Sequence, residues 1–131
     1  MAGFTFNPDA NRLTLEIEGE TFIVDPFAKN VVDGATIFSE TVTGIDFGAM
    51  LTPETSEQID KAIKAVAEMV NTTLGPGAYK KLCKGRELGV MDHFELAMHI
   101  AVSINAFRAK RIERFLGGST AMLKDASPAV P

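Results

Sequence analysis

The chain has 131 residues, 46% of them hydrophobic, and a formal net charge of −4. This length and apolar content suit one domain with a real core and exclude a fully disordered protein, while the acidic balance argues against general nucleic-acid binding. Cys83 is the one cysteine, so no intramolecular disulfide can form and a reducing, cytoplasmic setting is expected. We predict no signal peptide and no transmembrane helix, because the sequence lacks the basic segment and the long apolar runs that these need.

The charge is divided by position along the chain. Residues 1–60 carry eleven acidic and two basic side chains, whereas residues 61–131 carry six acidic and eleven basic ones, for charges of −9 and +5. Such asymmetry indicates a molecule with two electrostatically different faces. It suits contacts with other molecules better than a single enzymatic reaction.

The N-terminal part predicts a β-hairpin. Residues 13–17 alternate between apolar and polar side chains, Gly19 can take the positive φ of a tight turn, and residues 21–24 supply a β-branched and aromatic return strand. Phe4 and Phe6 also alternate, a pattern compatible with a short additional strand.

Loops and then helices are expected after the hairpin. Prolines and glycines interrupt residues 26–51, where we expect loops with room for one more strand. A helix opens at Thr52-Pro53, a cap followed by a residue suited to the first helical position, and runs to Leu74. A short helix is predicted over residues 78–83.

The longest helix is predicted to begin near Met91, with Asp92 as its cap, and to end at Gly117-Gly118 after about seven turns. Its apolar stripe comprises Phe94, Ala97, Met98, Ala101, Ile104, Ile112 and Phe115. Residues 118–131 hold few apolar side chains and are predicted to form a flexible tail.

These elements predict an α+β fold. An N-terminal β-hairpin or small antiparallel sheet precedes a helical C-terminal half with two longer helices and one short helix. We expect one domain over residues 1–117, with an acidic, β-rich part over residues 1–51 and a basic, helical part over residues 52–117.

Three motifs resemble a metal site, a phosphate-binding loop and a reactive cysteine, but none has the residue spacing or neighbours that such a site needs. His93, Glu95 and His99 depart from the zincin order, and the two histidines lie about 120° apart around a helix. The glycines before Lys80 lack the spacing of a phosphate loop, and Cys83 has no histidine beside it in sequence. We therefore predict a protein that is not an enzyme and has no metal site and no cofactor.

A run of cations near the end of the long helix is the strongest candidate site. Arg108, Arg111 and Arg114 fall three apart and can form one positive strip. The strip is compatible with a solvated helix end, an acidic protein partner, the acidic hairpin of a second copy, or nucleic acid. Nucleic acid is disfavoured because Phe107 and Phe115 are assigned to apolar stripes. Replacing all three by Glu is expected to weaken partner capture and to leave thermal stability near that of the parent, because exposed charges contribute little to folding.

The C-terminal half resembles a known family. The segment GAYKKLCKGR at residues 77–86, followed by DHFELAMHIAVSINAFR at residues 92–108, is similar to the tail assembly chaperones of long-tailed phages that infect Gram-positive bacteria. The likeness covers about residues 52–116. It implies a non-enzymatic protein of the host cytoplasm that binds the tape-measure protein and recruits tail-tube subunits, with a longer product often made by ribosomal frameshifting.

Such a role needs a groove that accepts amphipathic helices. We predict the groove between the helix over residues 53–74 and the helix over residues 91–116. Its lining is predicted to be Phe94, Ala97, Ala101 and Ile104, with Arg108, Arg111 and Arg114 facing the partner. A head-tail joining protein of the virion and a nucleic-acid-associated regulator are the alternatives.

Overall fold

The computed structural model describes the backbone of residues 3–46, 48 and 56–126, and the side chains of these residues apart from 56 and 119–126. A 3₁₀ turn over Pro8–Asn11 precedes the strands β1 (Leu13–Ile17) and β2 (Glu20–Val24) and the helices α1 (Lys29–Thr43), α2 (Ser56–Leu74), α3 (Ala78–Cys83) and α4 (Val90–Ala126). The two strands form an antiparallel sheet and the rest of the described chain is helical, so the α+β prediction is confirmed.

The predicted hairpin is present. Leu15 pairs with Phe22 and Ile17 with Glu20, which leaves Glu18 and Gly19 as a two-residue turn. Both turn residues have positive φ, 53° and 76°, as the tight turns that match strand twist require. Leu15 is buried, and β1 lies against α4 while β2 lies against α2.

The short strand suggested by Phe4 and Phe6 is absent from the described residues. Both rings are 79% exposed and stack edge to face on each other. The 3₁₀ turn begins at Pro8, two residues after Phe6, which leaves little length for a strand that could join the sheet.

The prediction of loops after the hairpin is wrong, because α1 occupies residues 29–43. The main chain turns into this helix at Asp25, whose Oδ1 accepts a hydrogen bond from the Phe27 amide at 2.9 Å. The helix is rich in β-branched residues, which are weak helix formers. Thr41 and Thr43 donate to the carbonyls of Ile37 and Ser39, at 2.8 Å in each case, so their hydroxyls are satisfied within the helix.

Helix α2 is the centre of the core. Val66 and Val70 are fully buried, as is Ile100 of α4. Helix α1 packs on α2 at Gly34, where a Cβ atom would overlap Thr73 Oγ1 and lie 3.3 Å from the Met69 carbonyl oxygen. The absence of a side chain at this position therefore allows the two helices to approach closely.

Helix α2 ends at Leu74 and α3 spans Ala78–Cys83, as predicted, and α4 begins one residue before the predicted Met91 but ends later than predicted. Asp92 lies in the first turn of α4, and its Oδ2 accepts from the Gly89 amide at 3.0 Å. The helix continues through Gly117-Gly118 to Ala126, so the predicted stop at the glycines is wrong. The predicted cap at Thr52-Pro53 and the rest of the tail, residues 127–131, lie outside the described residues.

The close approach at Gly34 predicts a steric effect. Gly34→Ala is expected to lower the free energy of unfolding by about 1–3 kcal/mol, because overpacking against Thr73 and Met69 outweighs the better helix propensity of alanine. Gly117→Ala, on a helical stretch where a Cβ meets no atom within 4 Å, is expected to raise it by about 0.5–1 kcal/mol.

Chemical denaturation measures both effects. Adding Thr73→Ala to Gly34→Ala removes the overlapping hydroxyl and is expected to recover part of the loss. Equal stability of Gly34→Ala and the parent would contradict the close packing.

Candidate functional site

An apolar groove lies between α1 and α4. It has a volume of about 410 Å³. One wall is formed by Ala35, Phe38, Ser39, Val42 and Thr43 of α1, the other by Met98, Ala101, Val102, Asn105 and Arg108 of α4, and the floor by Val31, Met69, Thr73 and Ile104. We call this feature the α1–α4 groove.

Helix α2 and small side chains together create the groove. Both α1 and α4 pack on α2, from different sides, so α2 separates them. Ala35 of α1 and Ala101 of α4 both line the space and have short side chains, so they leave it unfilled. The result is a groove lined mainly by apolar atoms.

The outward face of α4 adjoins the groove and is unusually apolar. Met98 and Val102 are 51% and 58% exposed, and Ile112 and Phe115 are exposed farther along the helix. Met98, Ile112 and Phe115 were expected to pack inward, and that prediction is wrong. Contiguous exposed apolar surface of this kind marks a site of interaction with another molecule.

Of the four predicted groove residues, two line the α1–α4 groove and two do not. Ala101 and Ile104 line the α1–α4 groove. Phe94 and Ala97 are buried within the chain, so they are not open to a partner in this conformation. The groove was predicted between α2 and α4, but these helices pack directly on each other. It lies instead beside α1, the helix that the sequence did not reveal.

The three predicted partner-facing arginines also have different surroundings. Arg108 Nε donates to the Pro26 carbonyl at 2.7 Å, and its guanidinium lies 5.8 Å from the centre of the Phe27 ring. Arg111 Nε donates to Asn11 Oδ1 at 3.0 Å. Arg114 is exposed and makes no ion pair with any described residue. The prediction of one exposed strip is therefore wrong for Arg108 and Arg111, which tie α4 to the N-terminal part.

Arg108 also lines the α1–α4 groove, at one end. Its Nη2 is buried and has no hydrogen-bond acceptor among the described residues. The side chain as a whole is half-buried, so its positive charge favours an anionic group on a molecule that lies in the groove.

The opposite charges of the two halves partly pair within the chain. Lys81 Nζ lies 3.2 Å from Glu20 Oε2, and Arg86 Nη2 lies 3.0 Å from Glu18 Oε2. These bridges attach the acidic hairpin to α3 and the residues after it. The hairpin therefore offers less unpaired negative charge to another molecule than its composition predicts.

A second cluster joins α3 to α4 through Tyr79 and His93. His93 is buried, and its Nδ1 lies 2.6 Å from the Gly89 carbonyl oxygen. A carbonyl only accepts, so Nδ1 donates to it, and Nε2 forms a hydrogen bond with the Tyr79 hydroxyl. Both ring nitrogens are thus occupied by internal hydrogen bonds, which suits a structural role for His93.

No group of three or more metal-ligating side chains occurs among the described residues. Within the same part of the chain, no helix is long and apolar enough to cross a membrane. No family model, curated protein or solved structure matches this chain.

The internal contacts of Arg108 predict a difference between two arginines of the same helix. Arg108→Glu is expected to lower the free energy of unfolding by about 2 kcal/mol, because it removes a charged hydrogen bond to Pro26 and the contact with Phe27. Arg114→Glu makes the same charge change at an exposed position and is expected to leave the unfolding curve unchanged. Thermal and urea unfolding compare them, and equal effects would contradict the anchoring role.

The environment of Tyr79 predicts that its hydroxyl ionises at a higher pH in the folded chain than in the unfolded chain. Burial, with a smaller contribution from the Cys83 thiol, raises the pKa of Tyr79 from 10.0 to about 12. The chain has one tyrosine and no tryptophan, so the near-ultraviolet absorbance of tyrosinate reports this group alone.

The folded chain is expected to titrate near pH 12 and the unfolded chain near pH 10. Stability is then independent of this group below pH 10 and falls as the pH rises toward 12, because the unfolded state loses its proton first. Tyr79→Phe removes this dependence. A folded-state midpoint equal to the unfolded one would show that Tyr79 is solvated.

Proposed function

We propose that this chain is a non-enzymatic assembly chaperone that holds an amphipathic helix of another protein in the α1–α4 groove. The observation that carries the proposal is the apolar groove between α1 and α4, with the half-buried side chain of Arg108 at one end.

The spacing of the groove residues suits a helix. On α1, Ala35, Phe38 and Val42 recur at intervals of three and four residues, and Met98, Ala101 and Val102 supply the opposite wall. A bound helix that places apolar side chains at the same intervals buries them against both walls. Small residues on the walls allow its backbone to come close.

The charge of Arg108 favours one orientation of the bound helix in the groove. A carboxylate on the bound helix, placed at the end of the apolar stripe, lies near the positive charge of Arg108. Because Arg108 is half-buried, this attraction is less screened by salt than one with the exposed Arg114. The groove therefore favours an amphipathic helix with an acidic residue at one end of its apolar face.

The resemblance of residues 52–116 to phage tail assembly chaperones supports a particular partner. In that setting the bound helix belongs to the tape-measure protein, a long helical chain that must stay soluble before tail-tube subunits polymerise around it. The chaperone acts in the host cytoplasm and recruits the tail-tube subunits before it leaves the finished particle.

Blocking the groove tests the proposal. Ala35→Arg places a long side chain in the channel, whereas Ala106→Arg makes the same change at an exposed position of α4 that does not line it. Tagged variants are co-produced with the tape-measure and tail-tube proteins, and the captured chains are quantified by mass spectrometry. We expect Ala35→Arg to reduce capture of the tape-measure protein by about tenfold or more, and Ala106→Arg to match the parent.

Other results would contradict the proposal. Equal capture by both variants would exclude the groove as the binding site. Finding the protein in purified particles would favour the head-tail joining role, and salt-sensitive capture of nucleic acid alone would favour the regulator.

A further inference from the structure

Exposed aromatic side chains lie together on one part of the surface. Four aromatic rings are exposed among the residues that the structure describes: Phe4, Phe6, Phe27 and Phe115. Phe6 and Asn11 line one depression. Asn11 also lines a second depression, together with Phe27 and Phe115. Phe4 lies edge to face on Phe6, with 4.8 Å between the ring centres, so the four rings form one continuous group.

Cations accompany these rings. Arg12 lines the first depression and Arg111 lines the second. Arg114 lies three residues after Arg111 and four after Lys110, so these three side chains are neighbours on the surface of α4. Both Lys110 and Arg114 are exposed. We call the four rings and these four cations the aromatic–cation patch.

The cations of the patch keep hydrogen-bond donors for a bound anion. Arg111 donates from Nε to Asn11 Oδ1 at 3.0 Å, which leaves both of its Nη groups. Arg12 Nη1 lies 3.1 Å from Asp9 Oδ1, but both side chains are largely exposed and such pairs contribute little. The other two cations form no ion pair with any described residue.

The patch is positive in a chain whose net charge is −4. Besides its four cations, the Arg108 guanidinium lies beside it, 5.8 Å from the centre of the Phe27 ring. The carboxylates that line or flank the patch are Asp9, Asp25 and Glu113. Cations outnumber carboxylates, so the patch attracts an anionic molecule.

Helix α4 itself supplies an exposed ring beside a cation. Nucleic acid was disfavoured because Phe107 and Phe115 were both assigned to apolar stripes. Phe107 is half-buried, but Phe115 is 60% exposed and directly follows Arg114. Phe115 is therefore open to stacking, and the N-terminal part of the chain adds three more exposed rings to the same patch.

We propose that the aromatic–cation patch binds a single-stranded polynucleotide, whose bases stack on the exposed rings and whose phosphates contact the cations. Every base has a flat face and every nucleotide a negative charge, so rings placed among cations suit this ligand. Acidic side chains of a peptide would use the cations alone and leave the rings in water. The bases of a duplex are already stacked on each other, so a duplex cannot use the rings.

This inference goes beyond the proposed function, because it concerns a different surface and a different class of molecule. None of the residues of the aromatic–cation patch lines the α1–α4 groove. Met98, in the wall of that groove, lies about 25 Å from Phe115 along α4, at about 1.5 Å per residue.

Fluorescence anisotropy on the full chain tests the proposal, with labelled strands of about twelve thymidine or uridine nucleotides as probes. We expect a Kd between about 1 and 100 µM at low salt. Four cations on a single strand predict that log K falls with log salt concentration with a slope of about −3. An abasic strand of the same length and charge is expected to bind about tenfold more weakly or worse, because it has no bases to stack.

Variants separate the contribution of the rings from that of the cations. Phe6→Ala and Phe115→Ala are each expected to weaken binding about five- to tenfold and to keep the salt slope. Arg114→Glu is expected to weaken binding and to make the slope shallower by about 1. Met98→Ala, in the groove, and Lys64→Glu, at an exposed position of α2, are the matched controls and are expected to bind like the parent. Circular dichroism checks that each variant is folded.

Three results would overturn the proposal. The first is the absence of binding to either strand at about 100 µM protein. The second is equal binding of the abasic strand or of polyglutamate, which would show a contact made by charge alone. The third is parent-like binding by both Phe6→Ala and Phe115→Ala, which would place the strand elsewhere. None of these results changes the expected capture of a helix by the α1–α4 groove.

Discussion

The close approach of α1 to α2 at Gly34 determines the position of the groove. Since Gly34 has no side chain, α1 lies directly against Thr73 and the Met69 carbonyl. This contact also brings Asn30 close enough for its amide to donate to the Thr72 and Thr73 carbonyls, both at 3.2 Å, near the end of α2. Helix α4 occupies another side of α2, so the width of the α1–α4 groove depends on how tightly α1 is held.

Local sequence patterns were sufficient to predict the hairpin but not to predict α1. The hairpin combines strict alternation with Gly19, and both signals act over a few residues. Helix α1 consists largely of residues that favour strands or turns, and its helical signal is confined to apolar side chains such as Val31 and Phe38, seven residues apart. Tertiary packing on α2 outweighs these weak propensities. The continuation of α4 through Gly117-Gly118 was missed because paired glycines normally end helices.

The candidate site was only partly predictable for a related reason. Periodicity shows that α4 has a broad apolar surface, but it does not show which part the rest of the chain covers. Ala97 proved to be inside and Met98 outside, although both fit one stripe. Likewise, the contact of Arg108 with Pro26 joins residues 82 positions apart, and no local pattern reveals it. Ala101 and Ile104 line a groove, but it is a different groove from the predicted one, because α1, which forms its other wall, was not predicted.

The glycine pair within α4 gives this helix two regions of unequal local stability. As far as Ile104, side chains such as Ile100 are anchored in the core, so the amides of that part are expected to open only when the domain unfolds. At Gly117 and Gly118 a Cβ would meet no neighbour within 4 Å, and each glycine weakens helix propagation. The distal turns can therefore unwind and re-form as a separate unit, with fast amide exchange, while the core remains closed. The helix therefore combines a proximal part anchored in the core with an end whose order responds to its surroundings.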